Sequence, residues 1–95
     1  MAEALTIEDF SPHVGEVFAI VGREDRLTLA SIEPGRAPGG AARQPFILFF
    51  RGPRDRLLPE GLYEFESAGG RRFDLYVMPI VTPPGDQQDY QAVFN

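Results

Sequence analysis

The chain has 95 residues, 43% of them apolar, and a formal net charge of −5. A length of this order makes one domain, residues 1–95, able to bury roughly 60–65% of its unfolded surface around a single core. All nine basic residues are arginine and cysteine is absent, which excludes disulfides, thiolate metal sites, lysine Schiff bases and P-loop chemistry.

The acid surplus repels phosphates, so nucleic acid is not an expected partner. A GC-rich genome accounts for arginine over lysine; the functional alternative is that arginine forks make bidentate contacts to a partner. Met1 to Thr6 carries neither a positive region nor an apolar run, and no apolar stretch exceeds the five residues of Phe46–Phe50. A bilayer span needs about 20. No membrane partner is expected, and a cytoplasmic location is.

In chain order, Thr6-Ile-Glu-Asp9 places a hydroxyl at a helix N-cap and a carboxylate three residues later, a capping-box arrangement. Leu5 and Phe10 flank it as a hydrophobic staple, and Pro12 with Gly15 ends it. One or two helical turns follow, serving as a plug or lid. Val17–Val21 predicts a strand, Gly22–Asp25 a hairpin loop and Leu27–Ile32 the return. Leu27 and Leu29 share a face that Ile32 leaves, so a bulge near Ala30 or Ser31 is needed to restore register. Residues 33–45 hold Gly and Pro but no large apolar group, which predicts a mobile loop.

Phe46–Arg51 is apolar on both faces, the pattern of a central or doubly covered strand. Pro59-Glu-Gly61 fits a type II turn with Gly61 supplying a positive φ. Leu62–Ser67 and Phe73–Pro79 flank Ala68-Gly-Gly-Arg71, a hairpin signal. Pro83–Asp86 is a loop, and Tyr90–Phe94 alternates into a last strand. Period two holds throughout residues 17–94. The expected fold is all-β: a small, six-stranded, mainly antiparallel barrel or sandwich with a short N-terminal helix.

Catalytic chemistry finds little support. His13 is the one histidine, and Asp9, Ser11 and His13 resemble a triad only in local order, whereas triads are geometric. Glu64 and Glu66 share a strand face about 7 Å apart, a separation open to acid–base work on a sugar, but the pair reads as the solvated face of a half-buried strand. No Gly-rich phosphate loop or calcium loop is present. No catalytic residue, metal ligand or cofactor site is assigned, and the protein is not expected to be an enzyme.

Aromatic surplus is the positive signal. Ile47 and Phe49 oppose Phe46, Leu48 and Phe50, while Tyr76 and Met78 oppose Phe73, Leu75 and Val77. The second set is either covered by the helix and loops or forms an exposed patch edged by Arg51, Arg71 and Arg72, a composition typical of interfaces. The candidate interaction surface is therefore Phe49, Arg51, Tyr76, Met78, Arg71 and Arg72.

Four segments add a resemblance: Leu5-Thr-Ile-Glu-Asp-Phe-Ser-Pro-His-Val-Gly15, Phe49-Phe-Arg-Gly-Pro53, Leu58-Pro-Glu-Gly-Leu-Tyr63 and Tyr90-Gln-Ala-Val-Phe-Asn95. Together they resemble a small bacterial family without an established activity, over nearly the whole chain. Its members' occurrence beside tail-collar-like proteins of phage origin implies a structural or assembly role. The leading expectation is a non-enzymatic interaction or assembly module whose partner is another protein or a second copy, as a dimer or higher oligomer. The alternative is a small-molecule or carbohydrate binder at a barrel mouth, with Tyr63, Tyr76 and Arg51 as contacts.

Overall fold

A computed structural model describes residues 5–35 and 44–94. A single helical turn, α1 (Ile7–Phe10), runs into a 3₁₀ turn at Ser11–His13. Six strands follow: β1 (Val17–Ile20), β2 (Arg26–Pro34), β3 (Phe46–Pro53), β4 (Gly61–Glu66), β5 (Arg72–Pro79) and β6 (Gln87–Phe94). All neighbours are antiparallel, and the order β1-β2-β3-β6-β5-β4 closes into a barrel. Of the two expected architectures, the barrel is the one formed.

Alternation along each strand decides what lies inside. Phe18, Ile20, Leu27, Leu29, Phe46, Leu48, Phe50, Phe65, Phe73, Leu75, Val77, Tyr90 and Ala92 are all buried. Phe18 meets Phe50 edge-on at 5.8 Å, and Phe50 meets Phe65 at 5.0 Å. Rings of this size occupy the interior of the barrel.

The expected bulge is present. Leu29 pairs with Phe50 and Ser31 with Phe49, so Ala30 is the extra residue, and Ile32 then packs against the core. Without that insertion Ile32 would point outward.

Phe10 plugs one end. Its ring lies 4.7 Å from Phe73, 5.6 Å from Phe94 and 6.0 Å from Phe46, while Phe46 and Phe94 stack at 4.5 Å. The opposite end is closed by Leu58, whose backbone N–H donates to the Tyr90 hydroxyl at 2.9 Å. Burial of Tyr90 raises its phenol pKa. There β3 passes so close to β2 that a Cβ on Gly52 would lie 2.5 Å from Leu27 Cδ2. Asp25, only 5% exposed, accepts from Arg23 Nε at 2.5 Å and Arg56 Nε at 3.3 Å. It thereby ties the β1–β2 turn to the β3–β4 connection.

Two expectations change. Glu33 and Pro34 pair with Ile47 and Phe46, and the Gly35 N–H bonds the Pro45 carbonyl at 2.8 Å, so strand pairing takes over both ends of the segment assigned to a loop. Backbone hydrogen bonds need no large side chain, which is why composition missed this. Residues 36–43 of that expected loop lie outside the described residues. Gly61 has no positive φ; it opens β4 opposite Val77.

Candidate interaction surface

Outward positions on β3, β6, β5 and β4 form rows across the barrel wall. Ile47 pairs with Val93 on one side, and Tyr76 pairs with Leu62 on the other. The β5–β6 register, set by Met78 opposite Gln91, brings Val93 and Tyr76 to the same level. The result is one apolar row, Ile47–Val93–Tyr76–Leu62, in which Val93 is 46% exposed, Tyr76 50% and Leu62 67%. A second row, Phe49–Gln91–Met78, runs beside it, with the Gln91 amide donating to Met78 Sδ at 3.5 Å. Phe49 and Met78 are half-buried.

Phe49, Tyr76 and Met78 thus come together on one outer face. Ile47, already read from the sequence as opposing the inward set, lies there too, and Leu62 and Val93, which were not singled out from the sequence, complete it. Once Phe65 is placed inside, alternation puts Leu62 outside, so its position was legible from β4 alone.

The arginines are arranged differently. Arg51 donates from Nε to Asp89 at 3.1 Å. Arg71 donates to Asp9 at 2.7 Å and lies 4.7 Å over the Phe73 ring, bracing α1 against the β4–β5 hairpin. Arg72 is shared between Glu66 at 3.4 Å and Glu64 at 3.7 Å. Each is engaged within the chain, and Arg71 and Arg72 sit toward the hairpin end, about 13–17 Å along the chain direction from Tyr76 by strand rise. The Tyr76 phenol donates to the Glu60 carboxylate; that hydrogen bond, then desolvation and the negative charge, raise its pKa.

A groove of about 690 Å³ of mixed character is lined by Val17, Arg26, Thr28, Arg51, Arg54 and Asp86 among others. Arg54 donates to the carbonyls of Gln87, Thr82 and Pro83 at 3.1, 3.2 and 2.9 Å, pinning the β5–β6 connection. The contacts expected of a mouth site do not converge. Tyr63 packs against the core and donates to the Pro59 carbonyl at 2.7 Å, whereas Tyr76 faces outward. Asp9, Ser11 and His13 do not contact one another either. Ser11 donates to the Ile7 carbonyl, and His13 Nδ1 meets Glu16 Oε2 at 2.8 Å with its ring against Phe18 and Phe73.

Residues 5–94 match the family described as "Domain of unknown function (DUF6916)". The chain belongs to this family. No curated protein and no solved structure matches it. In this DUF6916 chain, the segments that carried the resemblance serve the fold. Phe10 is the plug, Gly52 permits close strand approach, Leu58 and Tyr90 seal the far end, and Ala92 and Phe94 point inward. The outer apolar rows draw on them only through Phe49, Leu62, Gln91 and Val93.

Proposed function

We propose that this protein is a non-enzymatic assembly module that docks another protein, or a second copy of itself, through the outer face of β3, β6, β5 and β4. The row Ile47–Val93–Tyr76–Leu62 is the observation that carries this reading. It is apolar and occupies outward positions on four strands, with Val93, Tyr76 and Leu62 exposed and Ile47 half-buried, while the core already has its own aromatic filling. Covering about 400 Å² of apolar area on each partner gains roughly 20 kcal/mol gross, and lost rigid-body freedom and side-chain ordering offset much of it. The setting we propose is a bacterial cytoplasmic assembly of phage-tail type, supported by the resemblance of the four segments above.

Light scattering of the purified chain at tens of micromolar tests the docking face. Association above the 10.6 kDa of one chain, shifted toward monomer by Phe49→Asp and Tyr76→Asp with the fold intact by circular dichroism, is the expected result. An assembly whose mass ignores both substitutions overturns it.

A second reading rests on the groove. Arg26 has no acidic partner among the described residues, and Thr28 lies between it and Arg51 on the same outer face, an arrangement suited to a small carboxylate. Titration with succinate should then move the amide resonances of Arg26, Thr28 and Arg51. Unmoved resonances at millimolar ligand dispose of it.

A further inference from the structure

The barrel closes unevenly at the β5–β6 seam. β5 pairs with β4 from Arg72 to Val77, but with β6 only at Met78 and Pro79. In an antiparallel ladder the backbone groups of successive residues face alternate sides. The Ser67 N–H bonds the Arg71 carbonyl, and the Ile80 N–H bonds the Asp89 carbonyl. Odd-numbered residues of β5 therefore face β4, and even-numbered ones face β6. The N–H and C=O groups of Arg72, Asp74 and Tyr76 consequently point along an edge where no strand pairs with them among the described residues. An unpaired strand edge is a template for another strand.

Charge on the same edge specifies which strand. Asp74 stands directly opposite Glu64, like beside like, and has no cationic partner among the described residues. Arg72, two residues away on the same outer face, meets Glu66 through Nε and Glu64 through Nη1, which leaves Nη2 donors uncommitted. A strand with the sequence of β5 laid antiparallel about a twofold axis at Phe73 sets Arg72 opposite Asp74 of the other copy, twice over. It also makes both residues doubly hydrogen-bonded pairs, since both present their backbone to that edge. Opposite charges across a ladder stabilise it, and an isologous contact closes at two copies.

We infer that two copies of this chain pair edge to edge along β5, with Arg72 of each facing Asp74 of the other. This inference rests on the assembly reading above and names its partner and geometry. The exposed Tyr76 flanks the pairing on the same face, so the apolar rows of the two copies border the joint.

Light scattering from about 1 to 300 µM, a range bracketing the affinities of small interfaces, is combined with amide hydrogen exchange at both limits. The wild type should rise from one chain toward two, and the amides of Arg72, Asp74 and Tyr76 should gain protection as concentration rises. Asp74→Arg sets Arg opposite Arg and should weaken association tenfold or more. Arg72→Asp with Asp74→Arg restores the opposition between copies, while within one chain it sets Arg opposite Glu64 and Asp opposite Glu66, so association should recover. Asp74→Pro removes one free N–H while leaving the β4 ladder intact, and should also dissociate the pair; circular dichroism verifies each fold. Association that ignores every change at 72 and 74 but responds to Phe49→Asp overturns edge pairing and leaves the docking face standing. Association that ignores Phe49→Asp and Tyr76→Asp but is weakened by Asp74→Arg and recovers in the double variant does the reverse. A single-chain mass over the whole range overturns edge pairing.

Discussion

The Asp9 carboxylate accepts from the Thr6 N–H at 2.8 Å and from Arg71 at 2.7 Å, and both lower its pKa, the Thr6 bond most. The Thr6 hydroxyl donates to the same carboxylate at 3.3 Å, so the acid holds the first turn more than the hydroxyl does. Asp9→Ala should cost about 0.5–2 kcal/mol, and Thr6→Ala less, measured as urea midpoints. A carboxylate with a depressed folded pKa stabilises above its unfolded value, about 3.9, and that contribution fades as pH falls through the folded value. Asp25 behaves alike, its pKa lowered chiefly by the Arg23 hydrogen bond. Wild-type midpoints should therefore fall below about pH 4, and Asp9→Asn should flatten part of that fall. Gly52→Ala brings a methyl group against Leu27 and should cost about 1–3 kcal/mol as overpacking. The capping pair was legible in Thr6 and Asp9 because a cap is local. The roles of Asp25, Arg54 and Gly52 were not, because each meets a segment distant in sequence.

At the scale of elements, short apolar runs at Val17–Val21 and Phe46–Arg51 and period-two alternation elsewhere placed every strand, since side chains on a strand must choose between core and water. Even the bulge was legible, from the mismatch between Leu29 and Ile32. Strand ends were less so: β6 begins at Gln87 and β2 runs to Pro34, because polar residues join a ladder through the backbone alone. The candidate surface was half legible. Alternation exposed Phe49, Tyr76 and Met78, but the strand order that sets Val93 level with Tyr76 is not a local property. As for α1, its single buried ring carries its attachment. Phe10→Ala empties the space among Phe46, Phe73 and Phe94 and should cost about 3–5 kcal/mol, read from the urea midpoint; a loss under 1 kcal/mol would show that the neighbouring rings collapse into the gap.

For the whole molecule, closure depends on two short seams. β1 meets β4 at Ala19–Glu66 and Ile20–Phe65, and β5 meets β6 at Met78–Gln91 and Pro79–Tyr90. By contrast β3 pairs with β6 from Phe46 to Pro53 and with β2 over a similar length. The β4–β5 hairpin is thus joined internally far better than it is joined to the rest, and cooperative units follow such divisions. Under native conditions the seam amides of Val21 and Ile80, bonded to Glu64 and Asp89, should exchange at a lower opening free energy than those of Leu48, Phe50 and Ala92. The barrel would then breathe as a leaf turning on its spine, with β1, β2, β3 and β6 holding their order while the hairpin swings free and returns.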